Sequence, residues 1–284
     1  MPDMKFDPHP TPAHVCAGLS KHARFAGGCT WWVMAWVVTS ACSHNEAAPR
    51  SAPVARPQSQ AEGAAPTPSD REQLARPMMV AMGDHFVTAV WARDCIVAGD
   101  LESSRIAMHD LADYEYPVEL TARWGQELSA LKASARTAAQ ATTLEAGAAG
   151  VADVARVCGG CHAASGGGPA TVVARPEHFS KYAEDSFTGR MYRHLWGAEQ
   201  LWQGLTAPSE AAWEAGATAI RESPAAMERE LPAKFGTALE KLRTLSTSAG
   251  APQSAEQRTA LYAELLSTCA TCHARAEAGA LRGR

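Results

Sequence analysis

Two short stretches of this chain place sulfur and imidazole at the same spacing: "VCGGCHA" around Cys158, Cys161 and His162, and "TCATCHA" around Cys269, Cys272 and His273. In a helix, residues i and i+3 lie on one face with i+4 beside them, so each trio turns two thiols and an imidazole the same way. Such a trio can form two thioether bonds to a porphyrin while its ring nitrogen binds the iron from the same side. Cys-x-x-Cys-His is the sequence signature of that c-type haem attachment. The expectation is therefore two covalently bound haems c, with thioethers at Cys158, Cys161, Cys269 and Cys272 and with His162 and His273 as proximal iron ligands. Two competing arrangements gather the four cysteines into one zinc site or pair them as disulfides. Neither gives a role to the histidine that follows each pair.

The elements that must position these residues occur twice. The motifs lie 111 residues apart, and "MGDHF" at Met82 to Phe86 matches "MYRHL" at Met191 to Leu195 at an offset of 109. From His85 to Cys158 is 73 residues and from His194 to Cys269 is 75, so two independent features agree on a duplicated unit. In the first copy, Met79 to Val97 is an apolar stretch ended by Gly99, and Asp100 is placed to cap a second helix reaching about Ala112. Pro117 breaks the chain, and Trp124, Leu128, Leu131 and Ala135 then recur on one helical face. Thr142-Thr143-Leu144-Glu145 reads as a capping box opening a fourth helix striped by Leu144, Val151, Val154 and Cys158. The second copy follows the same plan: Arg190 to Leu205, a helix with Pro208 in its first turn, a stripe of Phe235, Leu239 and Leu242, and a helix opened by Ser254 to Gln257. Strand-like alternation is absent. The predicted fold is all-α: two tandem four-helix-bundle domains, 76–165 and 187–276, each with CxxCH on its last helix, joined by a linker at 166–186 and followed by a tail at 277–284.

Only eleven residues follow His273, so the second domain is expected to enclose its haem with what precedes the motif. Helices first and CxxCH on the last one resembles cytochrome c prime and its methionine-ligated relatives, the four-helix class II cytochromes c, over about residues 76–163 and 187–276. The resemblance implies that the first helix covers the far side of the haem, with a methionine sulfur or with an apolar side chain that leaves the iron five-coordinate. The matching candidates here are His85 and His194, or alternatively Met82 and Met191, each pair sharing adjoining parts of one helix face. Imidazole is a strong iron ligand and costly to bury for no purpose, which favours the histidines. Met79 stands nearer the family's methionine, but Thr188 occupies that place in the second copy. Six-coordinate iron at both sites leaves one-electron transfer as the chemistry, without catalysis. The rivals are a five-coordinate binder of nitric oxide or carbon monoxide, and a two-haem peroxidase in which Glu102 or His109 serves the open iron. Trp91, Trp124, Trp196, Trp202 and Trp213 read as packing, Cys95 as core, and His178 as a further ligand candidate.

Charge excludes one class of partner. Lys and Arg number 26 against 30 Asp and Glu, and no basic cluster extends beyond Arg221 to Arg229, so no nucleic-acid face is expected. Lys21 and Arg24 precede the apolar run "FAGGCTWWVMAWVVTSAC", of the length of an export signal core. Its end, Thr39-Ser40-Ala41-Cys42, resembles a bacterial lipobox, which makes Cys42 the lipidation candidate within a signal region 1–42. A conventional signal peptide or an uncleaved anchor are the other two readings, and all three place the rest in the periplasm or cell envelope. Residues 43–75, rich in Ala, Pro, Ser and Gln, form the expected disordered tether, with a random-coil reach of roughly 30 Å. The partners implied are redox proteins, the membrane through this anchor, and a second copy of the chain.

Overall fold

The computed structural model describes residues 68–165, 186–222, 233–251 and 253–282. The signal region with Cys42, the tether as far as residue 67, and linker residues 166–185 with His178 lie outside these. Among the described residues the chain is all-α, with no strand. The described helices are α1 (Pro68–Val97), α2 (Leu101–Asp113), α3 (Val118–Ala139), α4 (Leu144–Ser165), α5 (Phe187–Thr206), α6 (Glu210–Glu222), α7 (Gly236–Ala249) and α8 (Ala255–Arg282), with a 3-10 turn at Ala233–Phe235 before α7.

Local chemistry sets most of the boundaries. Gly99 takes φ +81° after α1, where Gly99 N–H donates to the Ile96 carbonyl and Asp100 N–H to that of Cys95. This is the left-handed glycine stop of the Schellman motif. Asp100 then caps α2, accepting from Ser103 N–H at 3.0 Å. Ser254 and Gln257 form a reciprocal capping box on α8, at 2.8 and 3.3 Å. At α4 the expected box reduces to a single cap: Thr143 Oγ1 accepts from Ala146 N–H, and Glu145, one residue too early, takes no part. Pro208 stands outside α6, because Ser209 accepts from Ala212 N–H and so occupies the cap itself. Helix α1 begins at Pro68, inside the stretch that composition assigned to the tether, and α8 runs on through the expected tail to Arg282.

The packing is doubled and crossed. Helices α1 to α4 pack in sequence, as do α5 to α8, and the broadest contact between the two sets is α4 against α8. The first helices also cross over: α1 lies against α8 and α5 against α4. As a result the apolar interior is continuous, a single cluster running from Ile96, Met108 and Val151 through Cys158 to Trp202, Leu239, Tyr262 and Cys269. Burial of this kind stabilises by about 25 cal/mol per Å² of apolar surface, the main force holding two such sets together. A smaller cluster of Ala81, Leu120 and Leu128 with Met82 and Trp124 fills the gap between α1 and α3, where Trp124 kinks α3 (φ −126°, ψ 28°). In the other set α5 and α6 approach so closely that a Cβ on Gly216 would stand 2.6 Å from the Gly197 carbonyl oxygen.

Arg93 of α1 ties the two sets together. It binds Asp94 at 2.8 Å, pairs with Glu199 of α5, and lies 5.4 Å over the ring of Trp202, the residue at its own repeat position. Replacing Arg93 with Ala removes this packing and leaves Glu199 unpaired. The expected loss is roughly 2 kcal/mol of unfolding free energy in a urea titration, less than for a fully buried pair because the Glu199 side chain keeps 30% exposure.

Candidate functional site

Helices α4 and α8 each present their cysteines toward the interior as the spacing requires. Cys158 and Cys269 are buried in the shared core, while Cys161, Cys272, His162 and His273 are half-buried one turn further along. No disulfide joins any of the four, and burial pushes the thiols of Cys158 and Cys269 up to about 12. Among the described residues no three His, Cys, Asp or Glu side chains gather where they could hold one metal ion. The four-cysteine zinc arrangement is therefore not formed.

Each motif histidine is anchored through Nδ1. His162 Nδ1–H donates to the Thr206 carbonyl at 2.6 Å, and His273 Nδ1–H donates to the Val97 carbonyl at 2.9 Å. A carbonyl oxygen can only accept, so the proton must sit on Nδ1 and the lone pair of the neutral ring on Nε2. That is the tautomer an iron-ligating histidine needs, and a carbonyl on the far nitrogen is the usual way it is fixed. Both acceptors belong to the opposite set of helices.

Across from the motifs stand the two first-helix histidines. His85 and His194 are buried, 6% and 7% exposed, and the Nδ1 of each has no hydrogen-bond partner among the described residues. Burial, then the nearby imidazole of His162, holds His85 down at about 4; burial, then His273, does the same for His194. The charge of the CxxCH histidine of its own half thus reaches each of them, and both are uncharged near neutral pH. His194 Nε2 is 3.7 Å from Cys269 Sγ, and the ring of His85 meets Tyr116 edge-on at 6.2 Å between centroids.

The other candidates fall differently. Met82 is part of the small cluster between α1 and α3, and Met191 packs against the main core. Met79 is 71% exposed. Glu102 and His109, the alternative acid-base candidates of the peroxidase reading, are exposed on α2, where they bind Arg105 and Asp113 respectively, each at 3.1 Å. Trp202 and Trp213 are core, and Trp213 Nε1–H donates to the Ala249 carbonyl. Cys95 is fully buried.

Sequence reading missed Tyr116 and the two carbonyls. Tyr116, at the turn before α3, has a buried hydroxyl without a partner, and burial, followed by the proximity of Cys158, raises its pKa. It lines the first site, yet no spacing rule links a turn tyrosine to a motif forty residues on. Backbone carbonyls carry no sequence signal at all. Two thiols, an Nδ1-anchored imidazole and a second buried, uncharged imidazole are a donor set whose chemistry fits a haem c. Comparison with known protein families, curated proteins and solved structures finds no match for this chain.

The two buried histidines make the haem-free polypeptide acid-sensitive. Above pH 6.5 folded and unfolded chains both hold them neutral; below it only the unfolded chain takes up protons, until the folded form follows near pH 4. Stability therefore falls as pH drops through that window, by about 3 kcal/mol per histidine. Urea titrations of the haem-free chain at pH 7 and pH 4.5 measure the fall, and replacing both His85 and His194 with Gln removes most of it.

Proposed function

We propose that this chain is an exported, lipid-anchored two-haem c-type cytochrome that passes single electrons between redox proteins. In this reading each set of four helices is one haem-binding bundle, 76–165 and 187–276, with CxxCH on its last helix. Cys42 is the lipidated residue that keeps it at the cell envelope. The observation that carries the reading is a pair of histidines repeated at matched places in the two halves. In each half one imidazole is fixed through Nδ1 on the CxxCH helix, and another, buried and uncharged, lies near it on the first helix.

Haem iron, when bound, supplies the one-electron couple. The chain's own residues set its surroundings. Cys158 with Cys161, and Cys269 with Cys272, fix the porphyrin edge to α4 and α8. His162 and His273 offer Nε2, made more basic by the hydrogen bond at Nδ1. His85 and His194 would supply the second iron donor, with Met82 and Met191 as the alternative donors. The apolar core around Cys158 and Cys269 walls the inner side of both sites, and low dielectric together with ligand type sets a haem's potential. With both faces held by protein there is no position for a substrate, which favours electron transfer over peroxidase chemistry or gas binding.

Mature protein from a host that attaches haem c should contain two haems per chain by the alkaline pyridine assay. Exchanging Cys158 and Cys161 together for Ser should leave one. Its reduced spectrum should be low-spin and unchanged by carbon monoxide, and His85→Ala and His194→Ala should each convert one haem to a carbon monoxide-binding form. Avid carbon monoxide binding by the unaltered protein would instead identify the five-coordinate gas binder.

A further inference from the structure

The hydrogen bonds that fix the two motif histidines run the wrong way for independent domains. His273 of the second half is held by Val97, the last residue of α1 in the first half, and His162 of the first half by Thr206, the last residue of α5 in the second. The two acceptors are 109 residues apart and the two donors 111, so the exchange follows the internal repeat.

The ends of both helices are shaped for this contact. After α1, the Schellman stop uses the carbonyls of Cys95 and Ile96 for Asp100 and Gly99, and Asp94 receives Ala98 N–H, so the Val97 carbonyl is turned to His273. That stop depends on Gly99 at φ +81°. A Cβ there would meet nothing closer than 3.8 Å, from Ala270 and Ala274, so the constraint is backbone conformation rather than space. After α5 the constraint is space. A Cβ on Gly159, between the cysteines of the first motif, would lie 2.0 Å from the Leu205 carbonyl oxygen, one residue before Thr206.

We propose that each first helix serves both centres. Helix α1 sets His85 opposite His162 and positions the proximal imidazole of the second centre through the Val97 carbonyl. Helix α5 sets His194 opposite His273 and positions His162 through Thr206. The proposal rests on the two-haem reading and deepens it. Any change of ligation or oxidation state that moves a first helix at one centre alters the ligand on the other, so the two centres form a coupled redox pair.

The test is made on the full-length holoprotein, with the two midpoint potentials read separately from assigned haem-methyl NMR signals during a redox titration. Gly99→Ala strains the stop after α1 and weakens the Val97 acceptor. The second haem, on Cys269 and Cys272, should then become easier to reduce while the first keeps its potential. Gly99→Asn, which tolerates positive φ, should restore the second. Gly159→Ala should shift the first haem by the same logic. A Gly99→Ala shift confined to the first haem, or no shift in a folded protein, overturns the proposal. If the glycine variants fail to fold, the unaltered reduced protein decides it. His273 Hδ1 should exchange slowly and show nuclear Overhauser effects to Val97 and Ala98, and effects to its own half alone overturn the proposal. Absence of covalent haem in the pyridine assay would instead refute the two-haem reading itself.

Discussion

A helix ends with carbonyls that have no partner within it, and each must find a donor or water. Here the carbonyls of Val97 and Thr206, on the last residues of α1 and α5, find theirs in the imidazoles of His273 and His162. Much of the architecture serves that exchange. It requires α1 to run beside α8 and α5 beside α4, which in turn brings α4 against α8 and merges the two apolar interiors into one. Small residues permit the approach, Gly159 beside Leu205 and Ala270 beside Gly99. Arg93 over Trp202, with Glu199 beside it, braces the same junction at residues related by the repeat.

The second constraint is desolvation. Burying an imidazole without a partner for Nδ1 costs free energy that a simple core position would avoid by using Leu. The chain carries this cost at both His85 and His194, each buried with Nδ1 unpartnered among the described residues. Such cost at matched places is how a protein holds a group ready for a ligand, and it is why the proposed function gives these two residues the iron rather than Met82 and Met191. The halves are not identical. Tyr116 stands against His85 in the first, whereas in the second His194 meets Cys269 directly. On the proposed reading, the two haems would sit in unequal surroundings and so differ in potential.

Much of the helix plan was legible because its signals are local. Gly99, Asp100 and the pair Ser254 and Gln257 fix ends by hydrogen bonds within a few residues, and the stripes of Leu128, Leu131 and Ala135 or Leu239 and Leu242 are buried as their period requires. Where two local solutions competed, the reading slipped by a residue or two. Thr143 rather than Thr142 caps α4, and Ser209 displaces Pro208 from the start of α6. The start of α1 at Pro68 was hidden because an Ala, Pro and Gln composition lacks the apolar period that reveals a helix.

The sequence by itself determined which donors are candidates: the thiols of Cys158, Cys161, Cys269 and Cys272, the imidazoles of His162 and His273, and the paired His85 and His194 with Met82 and Met191 as the alternative, because residue type and spacing along a helix are local properties. Only the tertiary structure decided which nitrogen of each motif histidine carries the proton, and that its partner comes from the opposite half. Those facts depend on where two helix ends 44 and 176 residues from their donors come to rest. A backbone carbonyl is the same in every residue, so only the packing of the whole chain can single out Val97 and Thr206.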